Sequence, residues 1–218
     1  MPPAQPEAAF GSATVDEFLL QLAAKTPTPG GGAVASMVGA LACALAQMVV
    51  SYSLGKKSLA AHQQALSDAA TRLERARVLL VALAEEDARA YGVVNALAKL
   101  EHWDPRREEL PAAVLASVQA PMAVAAAGCD LLRLFATLEP TSNPALRSDL
   151  AIAAVLAEAT VQSAGWNVLV NLPSLEGKED GPIAVATRKE LFAYGEQAAQ
   201  RAAWAKWPVQ PIPASPPS

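Results

Sequence analysis

A carboxylate interrupts a leucine stripe. Leu59, Leu66, Leu73 and Leu80 recur at seven-residue spacing, and the next positions in that register are Asp87 and Val94. This spacing belongs to the seam of a long helix, so Asp87 stands where the preceding heptads place leucine. A carboxylate on such a seam is partly desolvated, which raises its pKa and lets it hold a proton near neutral pH. That is the property of a general acid. The competing reading is a carboxylate paired with an arginine or a helix end to fix register. Glu85 and Glu86 fall on other faces and read as solvated.

Four further groups are candidates for binding. Thr26-Pro-Thr-Pro-Gly-Gly-Gly32 opens a helix, so unpaired N–H groups and a positive dipole end stand where backbone can approach a ligand closely; Gly30, Gly31 and Gly32 could hold a carboxylate or a flat polar ring. The plainer reading is that these glycines let two helices touch. Lys56 and Lys57 lie at the other end of the same helix, roughly 33 Å away at about 1.5 Å per residue, and could simply complete its C-terminus. Ser148 and Asp149 form a good N-cap pair. Asn167 and Asn171, four apart on an otherwise apolar stretch, share one helix face; buried amides demand partners, so they are structural clamps or ligand readers.

Composition removes several classes of function. The net charge is 17 − 21 = −4, and the basic residues are scattered, so the chain has no footprint for a phosphate backbone and nucleic acid is excluded as a partner. The glycine loop lacks both the GxGxxG spacing and the Lys-Ser/Thr of a P-loop, which disfavours a nucleotide site. Cys43 and Cys129 have no CxxC spacing and form no ligand pattern with His62 and His102, so neither a zinc site nor a disulfide framework is expected, and a reducing cytoplasm is the default. The N-terminus has no basic region followed by an apolar run. Residues 31–55 carry no charge and are long enough to span a bilayer, but the stretch is rich in Ala, Gly and Ser and includes Gln47, Ser51 and Ser53. That composition points to a helix buried on all sides within protein rather than to a membrane span.

The elements that must position these groups are helices. Apolar residues make up 52% of the chain and aromatic ones 5%, and roughly one residue in five is Ala. That balance suits closely packed helices better than a sheet, and no window shows strand alternation bounded by turns. The reading is all-α: a single domain of about six helices, long and antiparallel, in a helical-bundle homodimer. Thr14 and Glu17 make a capping box for a short helix ending near Lys25. Longer helices are expected over 33–54, 58–99, 106 or 110 to 138 with a kink or split at Pro121, 148–172 capped by Ser148, and 183–207. Residues 1–13 and 208–218, which hold eight of the 17 prolines, read as disordered arms flanking a domain over 14–207.

In order along the chain, Phe18-Leu, Thr26 to Ala35, Gly55-Lys-Lys57, Glu86-Asp-Ala-Arg-Ala-Tyr91, Ala120-Pro121, Arg147-Ser-Asp149 and Asn167-Val-Leu-Val-Asn-Leu172 resemble the formimidoyltetrahydrofolate cyclodeaminase and methenyltetrahydrofolate cyclohydrolase family. The resemblance covers residues 14–172 and implies an all-helical, dimeric, cytosolic enzyme of one-carbon folates that uses no metal, nucleotide or other cofactor. It implies that Asp87, in an Asp-Ala-x-Ala-aromatic motif, is the acid residue. It further implies that the glycine loop, Lys56, Lys57, Ser148, Asp149, Asn167 and Asn171 line the folate site. The preferred activity is hydrolysis of 5,10-methenyltetrahydrofolate to 10-formyltetrahydrofolate, because no transferase domain is fused to this chain. Cyclodeamination of the formimidoyl form is the alternative, and a non-catalytic helical folate-binding module is the rival of another class. Because the glycines and lysines lie so far apart, the site is expected at a subunit interface, built from two chains.

Overall fold

Reciprocal capping starts the chain's first helix, α1 (Val15–Ala23): the Thr14 backbone N–H donates to Glu17 Oε2 at 2.7 Å and the Glu17 N–H donates to Thr14 Oγ1 at 3.2 Å. The computed structural model describes residues 10–175 and 181–206. Five longer helices follow: α2 (Gly31–Ser51), α3 (Gln63–Ala98), α4 (Leu110–Leu138), α5 (Arg147–Asn171) and α6 (Gly181–Arg201). Short 3-10 turns link them, and among the described residues there is no strand.

Several boundaries differ from those expected. α2 begins at Gly31 with Gly30 as its cap, so two of the three glycines belong to the first helical turn rather than to the loop. It ends at Ser51, and the chain then turns to Gly55, whose φ of 76° is the left-handed conformation that glycine adopts without strain. The Gly55 N–H donates to Gln63 Oε1 at 2.7 Å, which ties this turn to the start of α3. The expected helix over 58–99 is divided, because Lys57–His62 forms a 3-10 turn before α3. α4 runs unbroken through Pro121. Ser148 is not a cap: Asn143 captures the Ala145 N–H at 3.3 Å to start the 3-10 turn Pro144–Leu146, and α5 grows directly from it. α6 stops at Arg201 instead of 207. Residues 1–9 and 207–218, which include the expected Pro-rich tail, lie outside the described residues. Phe10 stacks edge-on against Phe18 with ring centroids 5.8 Å apart.

Helices α2, α3, α4 and α5 run alternately up and down around one core. α2 touches α3 and α5, and α4 closes the ring against both; α6 covers α4 and α5 from outside. The leucine seam is where the sequence puts it, since Leu66, Leu73 and Leu80 are fully buried. Each such side chain contributes about 1.5–3 kcal/mol by leaving water. Two stretches, Gly31–Ser51 and Pro105–Leu138, are long and apolar enough to cross a membrane. In α2 the small side chains serve close packing: Ala42, Cys43, Ala46 and Val49 are wholly buried, and a Cβ on Gly39 would meet Leu80 at 3.0 Å and Thr160 at 3.1 Å.

Candidate active site

The antiparallel ring brings the start of α2, the later part of α3, the early part of α4 and the end of α5 to one end of the bundle. There they enclose a cavity of about 230 Å³. Gly30, Gly31 and Gly32 enter it from α2, Asp87 and Tyr91 from α3, Ser117 from α4, and Asn167 and Asn171 from α5. Six of the residues singled out from sequence therefore meet, although they come from three separate helices.

The seam that buries Leu80 carries Asp87 to the cavity wall two turns later. Its carboxyl lies against the first turn of α2, so closely that a Cβ added at Gly32 would come within 2.7 Å of Oδ1 and nearer still to Oδ2. The glycines thus admit a carboxyl group that any other residue at 32 would displace. Burial alone holds the Asp87 carboxyl above the ordinary aspartate range. Of the two register alternatives, the arginine partner is absent, since among the described residues no ion pair involves Asp87 and Arg89 nearby pairs with Glu86 at 3.0 Å, whereas a helix end is where the carboxyl lies, against the first turn of α2.

The two asparagines have their amide nitrogens occupied. Asn167 Nδ2 donates to Ser163 O at 3.1 Å, one turn back on its own helix, and its Oδ1 faces Gly31. Asn171 Nδ2 reaches across to α4 and donates to Ser117 O at 3.0 Å. Ser117 Oγ in turn donates to Val114 O at 2.7 Å. What the cavity offers is thus one carboxyl that can hold or release a proton, two asparagine amides in the same lining, and a half-exposed aromatic ring at Tyr91.

Lys56, Lys57, Ser148 and Asp149 lie elsewhere. Lys56 and Lys57 follow the far end of α2, which at 1.5 Å per residue is about 30 Å from the glycines. Ser148 and Asp149 open α5 at that same far end, where the Asn143 N–H donates to Ser53 Oγ at 2.8 Å. Within one chain these four residues do not reach Asp87. The lining residues that sequence reasoning did not single out as site residues include Tyr91 and Ser117. Tyr91 has a legible signal, being four residues after Asp87 and hence on the same helix face. Ser117 has another, because it lies four residues before Pro121.

A family model described as formiminotransferase-cyclodeaminase matches residues 14–190. The methenyltetrahydrofolate cyclohydrolase of Methylorubrum extorquens is 29% identical over 186 residues, 83% of this chain and 88% of that protein. The formimidoyltransferase-cyclodeaminase of Rattus norvegicus is 28% identical over 93% of this chain, which spans only 38% of the rat protein. The crystal structure of formiminotetrahydrofolate cyclodeaminase from Thermotoga maritima superimposes with a TM-score of 0.80 at 32% identity, covering 89% of this chain and 96% of that one. With the model covering all but the ends of the chain, and a similar fold at more than 30% identity, this protein belongs to the formiminotransferase-cyclodeaminase family.

Proposed function

We propose that the cavity binds a one-carbon derivative of tetrahydrofolate and that Asp87 is its general acid and base, with hydrolysis of 5,10-methenyltetrahydrofolate as the reaction. The observation that carries this reading is the Asp87 carboxyl, half-buried against Gly32, without an ion pair among the described residues and raised in pKa by burial. Ionised, it takes a proton from a water that attacks the carbon bridging N5 and N10. The bond from that carbon to N5 then breaks, N5 receives the proton, and the formyl group remains on N10; one proton is released overall. The reaction needs only the folate and water. A positioned acid/base supplies about 10²–10⁴-fold, with orientation of the reacting atoms providing more.

The similarity to the Thermotoga enzyme favours a second reading, cyclodeamination. N10 would attack the formimidoyl carbon on N5 and pass its own proton to the imino nitrogen, and the protonated Asp87 would add a second, so that the C–N bond breaks and the nitrogen leaves as ammonia. Both reactions pass through a tetrahedral aminal, so one carboxyl serves either. The decisive experiment supplies each folate in turn. Loss of the methenyl chromophore supports the first reading, its appearance with ammonia supports the second, and neither change with either substrate removes the enzyme assignment in favour of a binding module.

The working unit in this reading is a homodimer in the cytoplasm, a compartment that suits two buried, unbridged cysteines. Leu41 on α2 and Ile152, Val155, Trp166 and Val170 on α5 are exposed apolar residues along one face of the bundle. A two-fold axis through that face would bury them and turn the lysine end of one copy toward the cavity end of the other. Lys56 and Lys57 would then meet the flexible glutamate tail of a folate whose ring lies beside Asp87.

A further inference from the structure

Pro121 is a proline in the interior of an unbroken α-helix. A proline there lacks the N–H that would bond to the carbonyl four residues earlier, which leaves that carbonyl without its helical partner. The orphan is Ser117 O, and the group that fills it is Asn171 Nδ2, 3.0 Å away on α5. A carbonyl can only accept, so the bond dictates which way the amide lies: its nitrogen faces α4, and its oxygen remains for the cavity that Asn171 lines. Asn167 is committed in the same sense, with its nitrogen on Ser163 O.

We infer that Pro121 is a positioning residue for ligand recognition: by opening Ser117 O it holds the Asn171 amide nitrogen toward α4, so that the amide oxygen is the acceptor left for a ligand in the cavity that Asp87 also lines. The wall made by the Asn167 and Asn171 oxygens therefore selects a ligand edge bearing N–H donors. Within the folate reading, on which this step rests, such an edge is the amino- and N–H-bearing side of the reduced pteridine ring. Carbonyl oxygens of the same ring system would be repelled there.

The first test needs no turnover. In the wild-type protein the Asn171 side-chain NH₂ protons should exchange more slowly than those of a free amide in nitrogen-edited spectra, because Ser117 O holds one of the two. Pro121→Ala returns an N–H to Ser117 O, and their exchange should quicken by about tenfold or more; unchanged protection overturns the inference. The second test is binding of 5-formyltetrahydrofolate, a folate that does not react. Affinity should fall about tenfold in Pro121→Ala and at least as far in Asn171→Ala, with the double variant no weaker than Asn171→Ala alone. In turnover, Pro121→Ala should raise KM and move kcat little, since Asp87 is untouched. Losses that add in the double variant, or full affinity in Pro121→Ala, overturn the positioning role. Should Pro121→Ala misfold, Asn171→Leu replaces it: nearly the same shape with no amide oxygen should lose about tenfold in affinity, and full binding refutes the proposal. If the wild type binds no folate, the folate reading fails, and amide exchange alone then decides whether Pro121 holds Asn171.

Discussion

The carboxyl of Asp87 fills the space that a side chain on Gly32 would occupy, so the acid and the first turn of α2 are packed as one unit. Gly32→Ala should therefore act on chemistry. A Cβ cannot coexist with the present carboxyl position, and a displacement of about 1 Å at a reacting group can cost on the order of 10²-fold in rate. We expect kcat to fall by about that factor while circular dichroism shows the helix content retained. Full activity would mean that the carboxyl works from another position.

Asp87→Asn removes the titrating proton and keeps the size of the side chain. Turnover should fall by about 10²–10⁴-fold, read from the methenyl chromophore.

The same substitution has an opposite effect on stability. Burial raises the folded pKa of Asp87 above the ordinary value of 3.8, so the folded state holds the proton to higher pH than the unfolded state does. Stability from this group is thus complete below 3.8 and is lost as pH rises through the folded pKa. Asn has no such loss. Melting curves should place Asp87→Asn above the wild type at pH 7, with the gap closing as the pH drops below 3.8. A gap independent of pH would show that Asp87 titrates as an ordinary exposed carboxylate.

Lys56→Ala combined with Lys57→Ala tests the shared site. KM for folates with several glutamates should rise by about tenfold, and for the single-glutamate form by clearly less. Equal changes would remove the tail-binding role.

Leu41→Glu places a charge at an exposed apolar position of α2. Light scattering should report a dimer for the wild type and a monomer for the variant at micromolar concentration, with activity falling alongside. A wild-type monomer would end the two-chain site.

The sequence makes the helices legible where one periodicity runs without competition. The register Leu66, Leu73, Leu80, Asp87 is local and survives in α3, whereas Leu59, which opens the same spacing, falls in the 3-10 turn before it. Boundaries are less legible, because they depend on partners far along the chain. Ser148 has the chemistry of a cap, yet Asn143 takes that work, being held in place by Ser53 in the turn that follows α2. The glycines read as loop residues because their pattern alone cannot show that Asp87 needs their missing side chains. Pro121 reads as a break for a related reason: its effect on α4 is made good by Asn171, from a helix whose approach no local spacing reveals.

The order of the helices around the ring has a consequence for how the protein comes into being. α2 with α3, α3 with α4, and α4 with α5 are neighbours in sequence as well as in space, so each pair can form early through short-range contacts. The seam between α2 and α5 is different, since it joins Gly31 to Asn167 across most of the domain. Closing it carries the largest loop-entropy cost in the bundle. Asp87 and the asparagines face each other only after that closure, so a nascent or partly opened chain has its helices but no cavity. Activity is thereby tied to the closure of this seam, and ligand bound across the seam stabilises the closed chain.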